Sequence, residues 1–142
     1  MDLFIIFSNE DAKIETNMDL EFIQVVWLKH PKSESFKEII LKAHSFANQY
    51  GLTNWLCDMR QLLFLDIADQ NWLVNEIFTS FNPAQQHELA YVISELGLEL
   101  MTTIRIHNLV KVNTELSKYL KVEIFFEPEI ALKWLFDITK VV

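Results

Sequence analysis

Apolar residues in the amino-terminal part of the chain come in short runs divided by polar turns. Leu3 to Phe7 is one such run and predicts a strand, closed by the turn Ser8-Asn9-Glu10-Asp11. In AKIETN (12–17), Ala12, Ile14 and Thr16 alternate with polar neighbours, the pattern of a half-buried strand. After Met18-Asp19, the β-branched and aromatic run EFIQVVWL (21–28) predicts a third strand. Three short strands with tight connections predict an antiparallel meander.

Beyond Pro31 the period changes to that of a helix. Phe36, Ile39, Ile40, Ala43, Phe46, Ala47 and Tyr50 make one stripe, and Gly51 stands where a left-handed residue ends a helix. Ser35 with Glu38 matches a capping box, and Ser33 is an equally good cap. Trp55 to Asp58 then predicts a strand, and Asp66 begins a helix over 66–79, with Asp69 also suited to its positive end. Trp72, Leu73, Ile77 and Phe81 form its expected inner face, and Asn82-Pro83 breaks it.

LAYVIS (89–94) has almost no polar relief, as a strand covered on both faces should. Residues 96–119 are expected to be helical in two pieces, with Leu98, Met101, Ile104, Leu109, Val112, Leu116 and Tyr119 turned inward. KVEIFF (121–126) is the last expected strand. Pro128 opens a final helix whose stripe is Ile130, Ala131, Trp134, Leu135 and Ile138. Strand and helix alternate through this second half, which implies parallel strands joined by crossovers. The expected fold class is α/β: a mixed sheet with an N-terminal antiparallel meander followed by right-handed β-α units.

Composition agrees with one domain over 1–142. The chain has 142 residues, 51% of them hydrophobic, with 11 Phe and 4 Trp but only 2 Gly and 3 Pro. Its formal net charge of −8 repels phosphate backbones and anionic headgroups, so neither nucleic acid nor a membrane surface is an expected partner. Cys57 is the only cysteine, which points to a reducing compartment. The start MDLFIIFSNED has Asp2 where a signal peptide carries positive charge, and no run approaches the roughly 18 apolar residues of a membrane span. A cytoplasmic, soluble protein is expected.

The search for chemistry is largely negative. Two glycines cannot build a phosphate loop, and no GxSxG elbow occurs. His30, His44, His87 and His107 never approach i, i+4 spacing with one another, so no metal or other cofactor is expected. Cys57 suits a small core residue better than a nucleophile. Asp58 and Asp66 could form an acid–base pair, but Asp66 already has work as a cap. Trp55 and Trp72 suit either core or the lining of an apolar pocket.

Asp58 and Arg60 are harder to dismiss, because ligands and partners gather outside the carboxyl ends of parallel strands. Between Lys42 and Lys111 the only basic residues are Arg60 and Arg105, against seven carboxylates, so Arg60 is expected to be tied to a nearby acid. The following loop, Gln61-Leu62-Leu63-Phe64-Leu65, is unusually apolar. Asp58, Arg60, Leu63, Phe64 and Asp66 are therefore the candidate interaction surface, with Leu63 and Phe64 as its apolar anchors.

NWLCDMR, the loop, DIADQNWL, LAYVIS and EIFFEPEIALKWL together resemble the STAS-like proteins, relatives of bacterial anti-sigma-factor antagonists that share a fold more distantly with Sec14-type lipid-transfer domains. More particularly, the chain looks like the small stand-alone bacterial members, over roughly residues 10–137. The resemblance implies a β-α superhelix and a non-catalytic regulatory role. Regulatory members begin the helix after this strand with a phosphorylatable Ser or Thr, whereas Leu65-Asp66-Ile67-Ala68-Asp69 contains neither. Asp66 supplies a permanent charge where a phosphate would add about −1.5 to −2. Two readings follow: a protein-binding module, with a homodimer as the first partner to check, or a carrier of a small apolar, lipid-like ligand.

Overall fold

The computed structural model describes residues 1–95 and 99–136. Six strands form one mixed sheet in sequential order: β1 (Phe4–Ser8), β2 (Ala12–Asn17), β3 (Phe22–Trp27), β4 (Asn54–Asp58), β5 (His87–Val92) and β6 (Leu120–Phe125). The first three pair antiparallel, and β3 through β6 pair parallel. The helices are α1 (Ser33–Tyr50), α2 (Ile67–Trp72), α3 (Glu99–Val112) and α4 (Pro128–Phe136). The α/β class, the meander and the parallel second half are as the residue pattern predicts.

Strand alternation divides the apolar residues between two faces. Ile14, Ile23, Val25, Trp27, Trp55, Cys57, Leu89, Tyr91 and Val122 point to one face, where α1, residues 73–81 and α3 cover them. Phe22, Leu56, Ala90 and Val92 point to the other, against Ala131 and Leu135 of α4. LAYVIS is therefore covered on both sides, which is why its alternation is invisible in the sequence.

Helix α1 ends as expected: Gly51 has φ 66 and donates its N–H to the Ala47 carbonyl. Its start differs. The N-cap is Lys32 with no side-chain cap bond, so neither Ser33 nor Ser35 caps the helix. Both serines lie inside the first turn and donate outward, Ser33 Oγ to Asp69 at 2.8 Å and Ser35 Oγ to Asp11 at 2.6 Å. Tyr50 is exposed, and His44 takes a buried place on the stripe.

Asp66 caps α2 as predicted, its Oδ1 accepting the Asp69 N–H at 2.8 Å. The helix does not continue regularly to 79. One π turn (Leu73–Ile77) and a short 3₁₀ turn (Phe78–Ser80) follow, and the added residue of the π turn resets which positions face the sheet. Leu73, Ile77 and Phe81 are buried as expected, joined by Val74 and Phe78. Trp72 is only half-buried, edge-on to Phe36.

The inward face of α3 was the least legible. Leu109 packs half-buried against the core as expected, but Ile104 and Val112 point outward, while Ile106, Val110, Thr102 and Thr103 are buried. Apolar residues occur all round this helix, so periodicity cannot select a face. Arg105 sets the rotation by donating to Gln70 at 2.9 Å and Asn71 at 3.1 Å on the α2 side. Leu116 and Tyr119 are buried as predicted, Leu116 in a second, 3₁₀ piece (Leu116–Lys118). On α4, Ala131 and Leu135 are buried, Trp134 is half-buried and Ile130 is exposed. Leu98, Ile138 and the side chain of Met101 lie outside the described residues.

Candidate functional site

Strand β4 sits between β3 and β5, so its carboxyl end opens at the middle of the crest where the parallel strands finish. The chain leaves it in a tight turn: the Met59 N–H donates to Val92 at 2.8 Å, and the Leu62 N–H donates back to Met59 at 3.0 Å. Asp58 is buried and accepts three bonds from one neighbour. These come from the Arg60 backbone N–H at 3.2 Å, its Nε at 2.9 Å and its Nη2 at 2.7 Å. Donating to Asp58 raises the guanidinium pKa above its ordinary value, opposed by a little burial and aided by the charges of Asp58 and Glu129. The pair is a local clamp at the loop start, with the guanidinium exposed and within reach of the charge of Glu129 in the first turn of α4.

The loop sorts its apolar residues sharply. Leu62 and Leu65 are sealed in the core, whereas Leu63 is 60% exposed and Phe64 46%. Phe64 stacks on His30 with ring centroids 5.0 Å apart, and the Leu63 N–H donates to His30 Nδ1 at 3.2 Å. Beside them His30, Lys32, Ser33, Phe64, Asp66 and Asp69 line a cleft of about 370 Å³. Ile67, on the first turn of α2, is 62% exposed.

Asp69, buried at the base of this cleft, accepts from Ser33 and lies 3.8 Å from Lys37. It brings a carboxylate to the amino-terminal turn of α1, where negative charge is favoured and that helix has no cap of its own. The starts of α1 and α2 are thus joined through one side chain.

The structure therefore groups Leu63, Phe64 and Asp66 with His30, and pairs Asp58 with Arg60 on the α4 side. Asp58 and Asp66 are each committed to bonds within the fold, to Arg60 and to the start of α2. Sequence reasoning missed His30 and Ile67. His30-Pro31 carried a signal of sorts, since a histidine before the proline that precedes a helix is held near the helix start.

Beneath the crest, an apolar cavity of about 20 Å³ lies among Trp27, Phe36, Trp55, Cys57, Phe81 and Tyr91. Trp55 lines it and Trp72 does not. Burial pushes the Cys57 thiol up to about 12, with the charge of Asp58 adding to the effect, so the thiolate nucleophile is suppressed at neutral pH. Among the described residues no cluster of three metal-ligating side chains occurs, and no helix is long and apolar enough to cross a membrane. Comparison with known proteins finds no matching family model, no matching curated protein and no matching solved structure.

Proposed function

We propose that the protein is a non-catalytic interaction module of STAS-like type whose contact surface is the crest at Leu63, Phe64 and Ile67. The observation that carries this reading is the exposure of Leu63 and Phe64 between the sealed Leu62 and Leu65. Solvation of two large apolar side chains on an ordered loop is unfavourable, and burying them against a partner recovers that free energy. The loop is held from both ends, by the Asp58–Arg60 clamp and by the Asp66 cap, so little ordering entropy opposes binding. The order of elements, a meander followed by parallel β-α units, supports the STAS-like resemblance.

A second copy of the chain is the first partner to test. Sedimentation of the wild type against a Leu63→Asp/Phe64→Asp variant should show self-association lost in the variant. If the wild type is monomeric, affinity capture should give a partner that the variant binds at least about 30-fold more weakly, as a contact hot spot does. Binding unchanged by both charges would overturn this surface.

Carriage of a small apolar ligand has one supporting observation, the apolar cavity under residues 73–81. Its volume of about 20 Å³ admits a single water-sized guest. A lipid-like ligand would therefore need that segment to swing away from the sheet, and copurification of lipid with the protein would favour this reading.

A further inference from the structure

Two histidines are buried at the corner where α1 meets the start of β5. His44 lies on α1 and His87 opens β5, and both contact Phe81, at centroid distances of 5.1 Å and 4.9 Å. Phe81 in turn stacks on Trp55 at 5.8 Å and lines the apolar cavity. Their Nδ1 atoms are the buried side-chain nitrogens or oxygens without a hydrogen-bond partner among the described residues.

The partners they do have define which nitrogen carries the proton. His87 Nε2 faces the Asn82 carbonyl at 2.8 Å, an acceptor only, so Nε2 holds the hydrogen and Nδ1 is a bare lone pair. His44 Nε2 faces the Asn48 amide nitrogen at 3.2 Å, a donor only, so Nε2 is the acceptor and the hydrogen sits on Nδ1. A proton added to His87 would create a buried N–H with no acceptor. A proton added to His44 would set two donors against each other. Each ring is packed as a neutral imidazole.

We propose that His44, Phe81 and His87 form an acid-sensitive latch that holds residues 73–87 on the sheet and releases them in mildly acidic solution. The segment is suited to release. Its helical hydrogen bonding passes from α to π to 3₁₀, and Thr79 and Ser80 donate their hydroxyls to carbonyls four residues back, which loosens a helix. The charged and titratable groups around the rings do not compensate a proton. The two histidines share Phe81 and lie close enough for a charge on His87 to act on His44, and Tyr119 meets His87 edge-on at 6.4 Å with its hydroxyl bonded to Phe78. Among the described residues no carboxylate bonds either ring; Glu115 acts on Tyr119, and Glu88 projects to the opposite face by strand alternation.

Burial lowers the pKa of both rings, with repulsion from His87 adding to the effect on His44 and the bond to Asn82 opposing it on His87. A released ring regains its ordinary value of 6.5. The open state therefore binds more protons below that value, and closure weakens as pH falls through it.

Cys57, in the cavity behind Phe81, reports the opening. Its labelling by a dipyridyl disulfide, a reagent that stays reactive in acid, is measured from about pH 7.5 to about pH 5 and divided by the rate in urea at each pH. Two protons predict a loss of protection of up to about 100-fold per pH unit below 6.5, tenfold for each proton, while far-UV dichroism stays native. His44→Leu and His87→Leu should each halve the logarithmic slope, and the double variant should abolish it whatever its absolute stability. If a variant does not fold, the wild-type imidazole resonances decide: both rings should remain neutral until protection falls. Protection independent of pH would overturn the latch. So would a slope unchanged in the variants, rings that titrate near 6.5 with protection intact, or protection lost only together with the dichroism signal.

Discussion

One face of the sheet lies under α1, residues 73–81 and α3, where Trp27, Phe36, Trp55 and Tyr91 are all buried in one continuous cluster. Among the described residues the opposite face is covered by α4, with Phe22, Leu56, Ala90 and Val92 packed on Ala131 and Leu135. On the same side β2 and β3 place Lys13, Glu15 and Gln24 instead of apolar residues. Glu15 is buried there, accepting from Gln24 at 2.9 Å and lying 3.4 Å from Lys13. A buried carboxylate is tolerated only with such partners. The difference teaches that alternation creates two faces, but the number of helices reaching each one decides how dry it becomes. Three crossovers between four parallel strands load one side, and among the described residues α4 covers the other.

Phe36→Ala tests the loaded face. It removes a fully packed ring that stacks on Trp27 at 5.4 Å and meets Trp72 edge-on, so denaturant titration should show a loss of about 3–5 kcal/mol. Trp134→Ala tests the lightly covered face. The ring is half-buried over Phe125 with the Lys121 ammonium 5.8 Å from its centroid, and the loss should be about 1–2 kcal/mol, less than the full truncation cost of a buried aromatic. Equal losses would break the contrast between the faces.

The smaller effects sharpen it at the crest. Asp66→Ala removes the cap of α2 on the loaded side and should cost about 1 kcal/mol in the same titration, with Asp66→Asn retaining most of it. Arg60→Ala, on the α4 side, should change stability by less than about 1 kcal/mol, because its guanidinium is exposed and screened. Its removal takes away the two guanidinium donors of Asp58 and leaves the backbone N–H of residue 60, so a larger loss would show that the clamp matters to the fold and not only to the loop.

Much of the architecture was legible because local patterns and tertiary requirements agree. Gly51 ends α1 and Asp66 starts α2 where the residues say, since a left-handed residue and an Asx cap depend on only a few neighbouring atoms. The tie between Asp58 and Arg60 was legible for the same reason: the two lie two residues apart at and just past a strand end, in a region where Arg60 has few rival cations. The start of α1 was misread, because Ser33 and Ser35 use their hydroxyls on Asp69 and Asp11, which are distant in sequence. The inward face of α3 was misread because an evenly apolar helix has no preferred side until Arg105 finds Gln70 and Asn71.

The sequence by itself determined the period of each segment, and with it the meander, the parallel β-α half and the positions of the main strands and helices. These follow from interactions within a few residues: alternation, helical spacing, caps and breakers. Only the tertiary structure decided that Leu62 and Leu65 turn inward while Leu63 and Phe64 stay exposed. Only it decided that His44 and His87, separated by strand β4, helix α2 and the π and 3₁₀ turns, meet on Phe81. Both outcomes depend on which elements pack together, and burial is a property of the assembled core that no single stretch of residues carries.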